Sequence, residues 1–133
     1  MALEARLKEV LIVEDEDSLR ALFASSIKQA GYSVSQVRLA ADALAVLKRK
    51  TPDVILLDAV MPPGQMSGME LLARLRENEV WANVPVIIVS GIGDLINRDA
   101  VTRLNVRAVL TKPIAVSELE STIKRILAHA PAG

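Results

Sequence analysis

Val54-Ile55-Leu56-Leu57-Asp58 sets four branched apolar residues directly against a carboxylate. A continuous apolar run, rather than one alternating with polar residues, marks a strand buried on both faces. The same pattern recurs three times along the chain. Val10-Leu11-Ile12-Val13 runs into Glu14-Asp15, the run from Val84 to Val89 around Pro85 stops at Ser90, and Ala108-Val109-Leu110 stops at Thr111-Lys112. A fifth, more polar strand is expected at Ser33 to Val37, and its polarity suits a sheet edge.

Helical periodicity fills the gaps between these strands. Leu19, Leu22, Phe23, Ile27 and Ala30 recur at three- and four-residue steps, with Gly31 as the stop. Ala43, Leu44 and Leu47 repeat the pattern before Pro52, and Met69, Leu71, Leu72 and Leu75 repeat it after Gly68. A fourth helix is expected over Leu95 to Leu104, ended by Asn105, a residue type that tolerates a left-handed conformation. The fifth is expected to open on a capping box, Ser117 with Glu120, and to turn Leu119, Ile123, Ile126 and Leu127 inward. Five alternations of strand and helix predict an α/β fold, a three-layer, doubly wound parallel sheet.

The composition agrees with one such domain. The chain has 133 residues, 51% of them hydrophobic and 24% charged, enough for a core without staples. It has no cysteine, which excludes disulfides and fits a cytoplasmic setting. Sixteen basic and sixteen acidic residues cancel, so no basic footprint points to nucleic acid or an anionic membrane. One Phe, one Tyr and one Trp are too few for a base-stacking platform. No apolar run approaches the ~18 residues of a membrane span. The core is expected over about residues 8–128, with 129–133 as a tail or linker stub.

The polar residues that end the strands carry the chemistry. In an open parallel sheet, ligands bind outside the carboxyl ends of the strands. Glu14, Asp15, Asp58, Ser90, Thr111 and Lys112 all fall there, giving one rim three carboxylates, two hydroxyls and one ammonium. Neighbouring strands lie about 4.8 Å apart, so Asp15 and Asp58 can share an ion if the first and third strands are adjacent. Clustered carboxylates repel one another unless one is protonated or a cation intervenes. A hard divalent cation that needs few protein oxygens, such as Mg²⁺, suits that cluster. Lys112, two strands from Asp58 at roughly 10 Å, has a side chain long enough to cover much of the gap.

With those residues in place, the chain resembles the receiver domain of two-component response regulators, of the chemotaxis-regulator type, over essentially its whole length. The family's acidic pair matches Glu14 and Asp15, its phosphoacceptor matches Asp58, and the following Met-Pro matches Met61-Pro62. Its hydroxyl residue matches Ser90, followed by the small Gly91, and its Lys-Pro matches Lys112-Pro113. The resemblance implies a flavodoxin-like (βα)5 fold with strand order 2-1-3-4-5. It also implies Mg²⁺-dependent phosphoryl transfer from a sensor histidine kinase or a histidine phosphotransfer protein to Asp58.

In that scheme Glu14, Asp15, Asp58 and the Val60 carbonyl hold Mg²⁺. Lys112 and the Ser90 hydroxyl stabilise the transferred group, and Gly91 leaves room for it and offers a backbone N–H. Lys112-Pro113 would be a cis peptide. The domain would be a signalling switch rather than a turnover enzyme, acting on an output partner or a fused effector through the fourth helix, fifth strand and fifth helix. Arg98, Arg103 and Arg107 are the expected polar contacts of that face, and the resemblance leaves room for a homodimer. No contact with nucleic acid through this domain, and none with a membrane, is expected.

The sequence departs from the family in three places. About two residues are inserted after Met61-Pro62 (Pro63-Gly64 in one alignment), and Ser67 replaces the acid usually found before Gly68. Val109 and Ile114 stand where aromatic residues are common. Val60 and Ile92, two residues past Asp58 and Ser90, are expected to flank the phosphoryl group. Two other readings compete. A binding module of the same fold would work without phosphorylation, and a haloacid-dehalogenase-type phosphatase would want an acid at Val60. Glu16 and Asp17 read as helix-start acids, and Ser90-Gly91-Ile92-Gly93 as too incomplete for a dinucleotide loop.

Overall fold

The computed structural model describes residues 6–91 and 93–129. Ile92 and residues 130–133 of the expected tail lie outside the described residues. The elements alternate strictly: β1 (Glu9–Val13), α1 (Asp17–Gln29), β2 (Ser33–Val37), α2 (Ala40–Arg49), β3 (Val54–Asp58), α3 (Gly68–Arg76), β4 (Val86–Ser90), α4 (Arg98–Arg103), β5 (Ala108–Thr111) and α5 (Val116–Ala128). The five strands form one sheet in the order β2-β1-β3-β4-β5, and every pairing is parallel.

Three of the four continuous apolar runs, β1, β3 and β4, bury both faces as their composition predicts, whereas β5 lies at the other sheet edge with Val109 exposed and only Leu110 buried. From β1, Leu11 and Val13 join Ile55 and Leu57 of β3 and Ile88 of β4 in one cluster beneath α2 and α3. The alternate residues Val10, Ile12, Val54, Leu56, Ile87 and Val89 join Phe23, Ile27, Leu119 and Ile123 of α1 and α5 on the other face. Each fully buried Leu or Ile contributes about 1.5–3 kcal/mol, so this double core dominates the stability. β2 is half-exposed along its length, as the polar composition of an edge strand requires.

Gly31 and Asn105 take the left-handed conformation expected of helix stops, at φ of 103° and 54°. Several local expectations shift. α1 buries Phe23, Ala24 and Ile27, whereas Leu22 is exposed and Ala30 is the C-cap, so the inward stripe is narrower than the periodicity implied. β4 starts at Val86, because the Val84 N–H closes a turn onto the Trp81 carbonyl at 3.1 Å. α4 has six residues instead of ten, since the Asn97 side chain caps it by accepting from the Ala100 N–H at 3.0 Å.

The Ser117–Glu120 capping box is absent. α5 begins at Val116 with Ala115 as N-cap, which places Ser117 inside the first turn rather than in the extended conformation a capping side chain needs. The box occurs instead at α3. Ser67 Oγ accepts from the Glu70 N–H at 3.0 Å, and Glu70 Oε1 accepts from the Ser67 N–H at 2.9 Å. The residue that departs from the family pattern therefore starts the helix that packs beside Asp58.

Candidate functional site

Register delivers the rim residues. Val13 pairs with Leu57, Asp58 with Val89 and Ser90 with Thr111, so the residues that follow each run emerge together at one end of the sheet. Glu14, Asp58 and Ser90 are buried there, while Asp15 and Lys112 are partly exposed. Carboxylate oxygens of Glu14, Asp15 and Asp58 lie within 4.8 Å of one another.

Asp58 is held from two sides. Its Oδ2 accepts from Lys112 Nζ at 3.1 Å, and its Oδ1 accepts from the Val60 N–H at 3.1 Å. Lys112 thus spans the two strand spacings that separate β5 from β3. Its own N–H donates to the Ser90 carbonyl at 2.7 Å, which fixes where the side chain starts, and the Lys112-Pro113 peptide is cis. Burial by itself would lower the ammonium pKa, but Asp58 and Glu14 outweigh it and hold the pKa above its ordinary value.

Glu14 is the electrostatically strained member. Burial pushes its pKa up to about 7; the Glu16 N–H on its Oε2 at 3.1 Å opposes that rise, and repulsion from Asp58 adds to it. Lys112 Nζ stands 3.2 Å from Glu14 Oε1 but is not aligned to donate, and that buried oxygen has no hydrogen-bond partner. A buried, unpartnered carboxylate oxygen beside two more carboxylates is a donor set that fits a hard divalent cation.

Two contacts not evident from the motifs support this rim, and a third acts at the opposite end of the sheet. Arg20 donates from Nη1 to the Glu14 carbonyl at 3.0 Å and pairs with Asp17 at 2.8 Å, so Asp17 acts through an arginine as well as at the helix start. Gly68 packs so closely that an added Cβ would lie 2.0 Å from the Asp58 carbonyl oxygen, and its N–H donates to the Ala59 carbonyl at 3.1 Å. Arg76, at the end of α3, donates from Nε to the Leu104 carbonyl and from Nη1 to the Val84 carbonyl, both at 2.8 Å. That arginine ties the far end of α4 to the core. Only the Arg20 signal, a cation one turn into α1 beside an acidic run, was open to sequence inspection.

Gly91 follows Ser90 directly at the end of β4. Its N–H is already engaged, donating to Asp94 Oδ2 at 2.6 Å. The Val60 side chain is exposed, next to the N–H that bonds Asp58. Among the described residues, no helix is long and apolar enough to cross a membrane.

The comparisons with known proteins agree with this geometry. The family model of the response regulator receiver domain matches residues 10–124. The phosphate regulon transcriptional regulatory protein PhoB of Pseudomonas aeruginosa is 32% identical over 126 residues, 95% of this chain; the chain spans only 54% of that relative's length. The polar-differentiation response regulator DivK of Brucella ovis is 32% identical over 123 residues, covering 92% of this chain and 98% of DivK. The crystal structure of the signal receiver domain of a signal transduction histidine kinase from Syntrophus aciditrophicus superposes with a TM-score of 0.80 at 28% identity, covering 95% of this chain and 94% of that one. With the acidic cluster, the buried aspartate and the bridging lysine on one rim of a 2-1-3-4-5 sheet, the chain belongs to the response regulator receiver domains of two-component systems.

Proposed function

We propose that this receiver domain is a phosphoacceptor and that Asp58 is the residue phosphorylated. The observation that carries this is the Asp58 carboxylate, buried yet held between Lys112 Nζ and the Val60 N–H beside Glu14 and Asp15. A carboxylate oxygen of Asp58 attacks the phosphorus of a phosphohistidine on a kinase or phosphotransfer protein. The O–P bond forms as the P–N bond breaks, and the donor imidazole leaves with the electron pair. Lys112 follows the charge onto the phosphoryl oxygens, and the Ser90 hydroxyl at the end of β4 is the second donor to them. Glu14, Asp15, Asp58 and the Val60 carbonyl would hold Mg²⁺, which supplies further charge neutralisation when bound.

The domain acts as a switch and catalyses only its own phosphorylation and dephosphorylation. The output face is α4, β5 and α5, where Arg98 and Arg103 are exposed and Arg107 is half-buried. Val109 is 41% exposed on β5 and is short and stiff at χ1, so the signal passes through backbone movement between β4 and α4 rather than through an aromatic rotamer. Incubation with acetyl phosphate and Mg²⁺ should add one phosphoryl group by intact mass, and Asp58→Asn should abolish it. Undiminished labelling in that variant would overturn the assignment.

A further inference from the structure

β1 ends at Val13, and its hydrogen-bond ladder runs out one residue later. The Glu14 N–H still donates to the Val37 carbonyl of β2 at 3.1 Å, but among the described residues no backbone N–H donates to the Glu14 carbonyl. A side chain takes that oxygen instead. Arg20, one turn into α1, donates to it from Nη1 at 3.0 Å, while its Nη2 donates to Asp17 Oδ1 at 2.8 Å. Arg38, just past the end of β2, approaches the same Asp17 oxygen at 3.6 Å. A planar guanidinium can hold a carbonyl and a carboxylate at once in a fixed geometry.

The Glu14 carbonyl and the Asp15 N–H belong to one planar peptide, so holding the first fixes where the Asp15 main chain stands. Asp15 needs this more than its neighbours do. Glu14 is buried and accepts from the Glu16 N–H, and Asp58 accepts from Lys112 and the Val60 N–H. The Asp15 carboxylate is partly exposed and, among the described residues, accepts no hydrogen bond and pairs with no cation, yet it comes within 4.8 Å of the other two. Its place is set by the main chain. The charges that act on the Glu14 carboxyl are those of Asp58 and Lys112, so Arg20 bears on the cluster through the backbone rather than as a counter-ion.

We propose that Arg20 is a positioning residue of the cation site: by holding the Glu14 carbonyl it sets the place of the Asp15 carboxylate, and with it the affinity for Mg²⁺. The inference rests on the assignment of Glu14, Asp15 and Asp58 as Mg²⁺ ligands above. Sign separates this role from plain charge. Arg20 is a cation beside a site for a dication, so by charge alone its removal would strengthen Mg²⁺ binding or leave it unchanged. Loss of a positioning contact weakens binding instead, and such outer partners of metal ligands are worth about 10–100-fold in affinity.

A Mg²⁺ titration of the full chain, followed through its amide resonances, tests this. Arg20→Met keeps most of the stem without the donors and should bind Mg²⁺ about tenfold more weakly. Its Asp15 amide should already be displaced from the wild-type position without metal. Arg20→Lys reaches the carbonyl or Asp17 but not both, and should recover part of the affinity. Arg38→Met removes an equal charge without touching the Glu14 carbonyl and should stay within about twofold of the wild type. At saturating Mg²⁺, acetyl phosphate should label Arg20→Met at the wild-type rate, because Arg20 acts on a ligand of the ion alone. Unchanged or tighter binding in Arg20→Met overturns the inference, as does an equal loss in Arg38→Met. Labelling that stays slow at saturating Mg²⁺ overturns it too. If Asp15→Asn loses Mg²⁺ while Arg20→Met keeps it, only Arg20 is misassigned; if Asp15→Asn binds Mg²⁺ as the wild type does, the ligand assignment falls as well.

Discussion

Glu14 and Asp58, at the ends of β1 and β3, are 1% and 5% exposed, whereas Leu95, past the end of β4, is 98% exposed. The helices repeat the contrast. α1 and α5 each have 13 residues, four of them buried, and α4 has six residues with Ala100 alone buried. The half of the rim that carries the acids is clamped by Arg20, by Gly68 against the Asp58 main chain, and by the capping box of α3. The half that leads to the proposed output face rests on Asp94 and the Asn97 cap. Chemistry needs charges at fixed positions, and signalling needs a segment whose alternatives lie close in free energy. One sheet supplies both by packing its two halves unequally.

The largest expected effect separates two glycines. Gly68→Ala drives a Cβ into backbone and should cost about 3 kcal/mol or more in urea unfolding. Gly91→Ala meets only ordinary contact with Asp94 and should change stability by no more than about 0.5 kcal/mol. Equal costs would break the contrast between a rigid and a yielding half.

A smaller effect sharpens the electrostatic side of it. Because folding raises the Glu14 pKa from 4.5 to about 7, the folded state holds that proton more tightly than the unfolded chain. Its contribution is therefore fully present below pH 4.5 and is lost as pH rises through about 7, by at most roughly 3 kcal/mol. Metal-free wild type should lose stability across that window relative to Glu14→Gln, and Mg²⁺ should restore it at neutral pH. Parallel pH curves for the two proteins would show that Glu14 carries no such strain.

The smallest effect tests the yielding half. Leu95→Ser removes an apolar side chain that is already in solvent and should leave stability within about 0.5 kcal/mol of wild type. A loss of several kcal/mol, the value of a buried leucine, would mean that α4 is anchored as firmly as α3.

Much of this is legible in the sequence. Four unbroken apolar runs marked strands, three of them covered on both faces and β5 open at the sheet edge, and acids, hydroxyls and a lysine at their ends could only gather at one rim, because a parallel sheet aligns its carboxyl ends. That rule placed Glu14, Asp15, Asp58, Ser90 and Lys112 on one rim without any long-range information. The details that failed depend on packing. Ser67-Gly68-Met69-Glu70 and Ser117-Glu118-Leu119-Glu120 have the same capping-box spacing, yet only the first forms the box. The first coincides with the point where Gly68 must meet Asp58; the second lies inside a helix already begun at Val116. In the same way Ser90-Gly91-Ile92-Gly93-Asp94 gives a flexible loop by composition, and only the folded chain brings the Asp94 carboxylate back onto the Gly91 N–H. Periodicity and strand-end chemistry are local and survive in one dimension. Which of two equal local signals is used, and which donor finds which acceptor, is settled by close contacts between distant segments, and those exist only in the fold.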